Sequence, residues 1–218
     1  MIRSFGPAEF TFLVEAARWT VLLSLLAFIG GGAIGMVVAL MRVSRNAMLR
    51  NIAAGWISVV QGTPVLIVLF LVFYGLPFLG LRFPPLVAAA LGMTVYASAF
   101  LGDIWRGCIE AVPRQQWEAA SSLALKPAQR MIYVVLPQAV RLAVPPTVGF
   151  MVQIVKNTSV ASIIGFVELT RAGTLMNNVT FQPFWVFGSV ALLYFAMCWP
   201  LSVMSQRLER RLHAGRRS

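Results

Sequence analysis

Residues 19–41 read WTVLLSLLAFIGGGAIGMVVALM, an unbroken run without a charged side chain, fenced by Arg18 on one side and by Arg42, Arg45 and Arg50 on the other. As an α-helix this run is about 35 Å long, enough to cross a hydrocarbon core of about 30 Å. It is also too long for the apolar core of a cleaved signal, and Glu9 and Glu15 precede it, so it is expected to stay in the mature chain as a first span. Residues 1–18 then form an N-terminal segment on one side of the bilayer.

Working outward, four further runs satisfy the same length requirement: residues 52–79, 86–108, 142–165 and 184–204. Pro84 and Pro85 separate the second from the third, because proline cannot continue a helix. A polar loop at 110–141 joins the third to the fourth, and a basic tail at 207–218 follows the fifth. The fold class expected is an all-α membrane protein with about five transmembrane helices in one domain, residues 19–206. Composition agrees: 59% of the residues are hydrophobic and 11% charged, against about 25% charged in soluble domains. Five crossings put the termini on opposite sides. With the N-terminus outside, the inner face receives Arg42, Arg45, Arg50, Arg106, Arg114, Lys126, Arg130, Arg141 and the tail arginines, and the outer face only Arg3, Arg18, Arg82 and Arg171. The positive-inside rule selects that orientation. Trp19, Trp105 and Trp185 fall near the expected interfaces, although tryptophan inside a bundle is also common.

A net charge of +11 would suggest nucleic acid in a soluble protein. Here the charge lies between apolar runs and no basic face alternates with stacking aromatics, so nucleic acid is excluded. Gly30 to Gly35 matches a dinucleotide fingerprint in letters only, since it sits mid-way along a span with no strand before it. Gly31 and Gly35 are better read as a place where a second helix approaches closely. No phosphate-cradling G-x-x-x-x-G-K-[ST] loop occurs. The single histidine, His213, stands in the tail, and Cys108 and Cys198 read as small apolar residues, so metal and catalytic sites are not expected and an enzyme is disfavoured. Asp103 and Arg106, three apart, are read as an ion pair. Lys156, with Asn157, Thr158 and Ser159, is a candidate for a solute path, because an ionisable group in a membrane is costly. The competing reading is that Lys156 snorkels to the interface or pairs with Glu168.

Within the loop at 110–141, Pro113 and Pro127 bracket a helix-competent stretch over 114–126. It is either a peg presented to the cytosol or a helix lying on the membrane. Glu118 is placed near its start, where it favours the helix dipole, and Ala119, Ala120 and Leu123 form an apolar face fit for a groove.

Glu118-Ala119-Ala120-Ser121-Ser122-Leu123, followed by Tyr133 to Ala139 and by Pro145-Pro146, resembles the EAA loop of ABC-importer permeases. Gln61 to Pro64, Asp103 to Gly107, Lys156 to Ser159 and Glu168 to Gly173 resemble the polar amino acid branch of that family, and the likeness runs over most of the chain. Three positions depart from the pattern: Ala124 stands where a glycine is usual, Gln61 where an arginine is, and Asn157 where an aspartate is. Ala124 removes the residue most able to turn with positive φ, so the helix before it is expected to end differently.

The resemblance implies a bacterial inner-membrane, multi-pass permease with a cytosolic coupling helix between the third and fourth spans. Glu118, Ala119, Ala120, Ser121 and Leu123 would meet the ATPase. ATP and Mg would be bound by that partner and no cofactor by this chain. Two ATPase subunits, a second permease copy or a sister permease, and an extracytoplasmic solute-binding protein complete the assembly, and the tail at 207–218 rests on membrane lipid. The alternative is a stand-alone secondary transporter or channel for a small polar solute, but five spans do not divide into two equal repeats.

Overall fold

The computed structural model describes residues 4–214, so Arg3, Arg216 and Arg217 lie outside the described residues. Among those described, every regular element is a helix. Four segments, Pro7–Arg42, Pro85–Glu110, Pro127–Ile164 and Pro183–Arg210, are long and apolar enough to cross a bilayer, and a fifth candidate is the bent pair Ala47–Gln61 and Val65–Leu79.

Helix α1 (Pro7–Arg42) contains the run at 19–41 and begins earlier, with proline in its first turn and the Glu9 carboxylate accepting the Gly6 N–H at 3.0 Å. Helix α2 (Ala47–Gln61) is capped by Asn46, whose side chain accepts the Met48 N–H at 2.9 Å. The run at 52–79 is not straight. It breaks at Gly62-Thr63-Pro64 and resumes as α3 (Val65–Phe70) after a bend of 102°. Pro64 lacks an N–H and drives Thr63 out of helical geometry, while the apolar composition continues across the break. A wide π turn (Leu71–Gly75) and a 3-10 turn (Leu76–Leu79) close this segment.

Helix α4 (Pro85–Glu110) packs along α1 through small residues of both helices. A Cβ on Gly31 would stand 2.4 Å from Ala97 Cβ, and one on Gly35 would stand 3.0 Å from the Ser98 carbonyl oxygen and 3.1 Å from Gly102 N. In lipid, water exclusion drives no association between helices, so this backbone-to-backbone contact is the main source of cohesion here. Leu23, Leu69, Met93 and Leu101, all fully buried, fill the space around it together with Phe150 and Ile154. Large apolar side chains such as Ile29, Val59, Leu192 and Phe195 point outward, as a bilayer requires. Trp105 is not at an interface: its indole N–H donates to Thr147 Oγ1 at 2.9 Å inside the bundle.

Helix α5 (Arg114–Ser122) is followed by α6 (Pro127–Arg130), a π turn (Met131–Val135) and α7 (Leu136–Asn157), which together form the fourth span. Pro137 cannot donate to the preceding turn, and the backbone widens there. A 3-10 turn (Thr158–Ile164), α8 (Leu169–Thr180) and α9 (Pro183–Ala214) complete the chain. Helix α9 packs on α7, where Ser205 Oγ donates to the Pro145 carbonyl at 2.8 Å. The Phe5 N–H donates to Gln182 Oε1 at 3.2 Å, which places the beginning of α1 beside the α8–α9 turn.

Candidate functional site

The loop between the third and fourth spans contains one short helix, α5, ending at Ser122. Pro113 immediately precedes it, and a left-handed residue ends it. That residue is Ala124, at φ 54°. Alanine therefore takes the conformation that a glycine would take more cheaply, at a cost of about 1–2 kcal/mol. Ala124 thus makes the positive-φ turn itself, three residues before Pro127.

The peg is seated on its own protein by one face. Trp117 packs with Ile109, Val112, Val135 and Ala139, drawn from the end of α4 and the base of the fourth span. Arg130 donates from Nη1 to Ser121 Oγ, and Gln138 Nε2 donates to Gln116 Oε1 at 3.4 Å. Ala120 is only 2% exposed, so it belongs to this seat and not to an outward apolar face. Of the expected coupling residues, Glu118, Ala119, Ser121 and Leu123 remain exposed, the last at 74%. Glu118 is the fifth residue of α5, beyond its first turn, which holds no acidic residue. The dipole therefore does not account for Glu118, and its carboxylate is available to a basic partner. Trp117 was the residue to find in the sequence. It stands three before Ala120, on the same face of the helix.

The second cluster of interest does not assemble as the sequence suggests. Lys156 and Asn157 end α7, with Lys156 exposed, and Lys156 forms no ion pair with Glu168. Thr158 is fully buried and its hydroxyl donates to the Val155 carbonyl at 2.7 Å, while Ser159 Oγ donates to the Lys156 carbonyl at 2.7 Å. Both hydroxyls are thus used by the backbone. Asn157 instead keeps company with Gln153, one turn before it, and with the Tyr96 hydroxyl of α4. Tyr96 stacks with Phe100 and Phe150, at centroid distances of 4.6 and 6.1 Å.

Glu168 has a different task. It is fully buried and caps α8, with Oε2 accepting the Thr170 N–H and Oε1 the Arg171 N–H, each at 2.9 Å. The Tyr194 hydroxyl of α9 donates to Oε2 at 2.8 Å, and Thr20 of α1 accepts the adjacent Leu169 N–H at 3.1 Å. Burial pushes the Glu168 carboxyl up from its ordinary value, and the hydrogen bonds from Thr170, Tyr194 and Arg171 pull it back. Asp103 and Arg106 pair at 2.9 Å as their spacing predicts, and Arg106 also reaches Glu110 at 2.5 Å. Among the described residues no group of His, Cys, Asp and Glu could hold a metal ion.

Residues 31–214 match the family described as binding-protein-dependent transport system inner membrane component. The chain is 31% identical to the glutamine transport system permease protein of Escherichia coli K12, covering 92% of each. It is 31% identical to the L-cystine transport system permease protein of Bacillus subtilis, covering 96% of this chain and 88% of that one. Among solved structures, an amino acid ABC transporter crystallised with histidines superposes with a TM-score of 0.86 at 32% identity, covering 92% of this chain and 94% of that chain. The inward-facing methionine ABC transporter superposes at 0.82 with 20% identity, over 95% and 99% of the two chains, and that likeness speaks for the fold alone.

Proposed function

The chain belongs to the inner membrane components of binding-protein-dependent transport systems, and from that premise we propose that its solute is a polar amino acid. It is a non-catalytic, membrane-embedded subunit of an ABC importer, and ATPase subunits are its partners. The amino acid reading draws on the glutamine and cystine permeases that it resembles over nearly their whole length.

One observation carries the mechanism: α5 is fastened to the base of the fourth span through Trp117, Ala120 and Arg130, while Glu118, Ala119 and Leu123 stay free on its other face. A helix held in this way transmits a push to the span behind it. In the proposed cycle, ATP and Mg bind the partner ATPase and its closure moves α5. The spans then rock between inward-open and outward-open states around a second permease copy or a sister permease. An extracytoplasmic solute-binding protein delivers the amino acid. This requires the N-terminus outside, the C-terminus in the cytosol and α5 on the cytosolic, arginine-rich side. Ser121, also exposed, accepts from Arg130 and ties α5 to the start of the fourth span. For the solute path we assign Lys156 and Asn157, with Tyr96 and Gln153 beside them. Thr158 and Ser159 shape the turn that holds this pair.

Reconstitution tests the proposal. The permease alone should move no amino acid, with or without ATP, and vesicles that also hold the ATPase and the binding protein should take up a polar amino acid on ATP addition. Flux through the permease alone would establish a stand-alone carrier instead.

A further inference from the structure

A second polar site lies behind α5. A pocket of about 380 Å³ is lined by Leu40 and Val43 at the end of α1, by Arg45 in the following turn, by Trp117 of α5, and by Arg130 and Met131 at the start of the fourth span. Its walls are mostly apolar, and two arginines from different elements, Arg45 and Arg130, are among its lining residues. Neither Arg45 nor Arg130 is in an ion pair among the described residues. Arg130 spends one nitrogen on Ser121, and its Nε is buried without an acceptor. A buried donor without a partner calls for an anion, and the planar fork of arginine matches a phosphate diester.

We propose that this pocket binds one anionic phospholipid, with the headgroup phosphate between Arg45 and Arg130 and the upper acyl chain against Leu40, Val43 and Met131. Two features favour a lipid over a carboxylate from a partner protein. Leu40, exposed on the last turn of the first span, gives an acyl chain an apolar wall that runs on from that span into the pocket. The arginine-rich face of a bacterial membrane protein also meets the leaflet in which anionic lipid meets basic residues. A lipid there would wedge between α1 and the peg and brace α5 against the membrane. The assignment stands on the pocket itself and holds whichever solute the protein carries.

Native mass spectrometry of the permease–ATPase complex, purified from vesicles of equal dioleoylphosphatidylglycerol and dioleoylphosphatidylcholine, provides the test. The wild type should retain phosphatidylglycerol in preference to phosphatidylcholine. Arg45→Gln alone, which leaves the Arg130–Ser121 bond intact, should weaken retention about fivefold, and Arg45→Gln with Arg130→Gln roughly thirtyfold. Arg82→Gln, assigned to the opposite face of the membrane, should leave it unchanged. Equal retention of the two lipids, or an equal loss in the Arg82→Gln variant, would overturn the proposal. So would displacement of the lipid by millimolar inorganic phosphate, which would mean a simple anion site. If adding the ATPase subunit to the isolated permease expels the lipid, the pocket belongs to an acidic side chain of that partner.

Discussion

Glu118 and Glu168 both sit on short helices between spans, one membrane crossing apart, and the fold treats them in opposite ways. Glu168 is sealed among α1, α8 and α9, and each of its oxygens accepts a backbone or hydroxyl donor. Glu118 is exposed on a nine-residue helix that touches the rest of the protein through its other face only. One carboxylate locks three helices into a single arrangement. The other is left free for something outside the chain. Rigidity around Glu168 is useful only if movement enters elsewhere, and α5 is where a push can enter without breaking a packed interface.

Five substitutions would break or sharpen this contrast. The largest effect is expected at the scaffold's tightest point: in Gly31→Leu the new side chain meets Ala97 and the Ser98 backbone, and no rotamer relieves a contact already too close at Cβ. It should cost about 3 kcal/mol or more, and the protein should fail to purify as a monodisperse species by size exclusion. Next, Glu168→Ala should cost about 3 kcal/mol, because it uncaps α8 and strands Tyr194, and Glu168→Gln about half of that, read as melting temperature in detergent. A smaller effect of opposite sign is expected for Ala124→Gly, which relieves a left-handed alanine at the end of α5 and should stabilise by about 1 kcal/mol. The smallest change in stability, within about 0.5 kcal/mol, belongs to Leu123→Asp on the exposed side of the peg. That variant should still lower ATP-driven uptake about tenfold, as loss of one interface anchor does. A Leu123→Asp protein with normal uptake, or one that melts early, would remove the distinction between the two helices.

Much of the fold was written in the runs without charge, because a bilayer demands that each crossing be long and apolar whatever its partners. Gly31 and Gly35 were legible for a similar reason: close approach needs small residues, and their spacing puts them on one face. Pro113 announced the start of α5, whereas its end at Ser122 falls short of the expected stretch over 114–126 and of Pro127, and is set by the left-handed Ala124. The bend at Gly62–Pro64 was harder to see, since hydropathy runs unchanged through it and only the backbone chemistry of Pro64 betrays it. Glu168 is visible as part of the stretch 168–173, but its burial depends on Thr20 and Tyr194, which lie far from it in sequence. Ala120 and Thr158 illustrate the same limit. Ala120 is one residue and Thr158 two residues away in sequence from an exposed neighbour, and a rotation of about 100° per residue decides which of them faces out.

That rotation gives the π turn at Met131–Val135 a significance of its own. Such a turn holds one more residue than the α-helical turn it replaces, so everything downstream is out of phase by about 100° with the helix that begins at Pro127. Tyr96 meets Phe150, and Lys156 stays exposed, only with this offset in place. Deleting a single residue there would keep every side chain of the fourth span and turn each one toward the wrong neighbour.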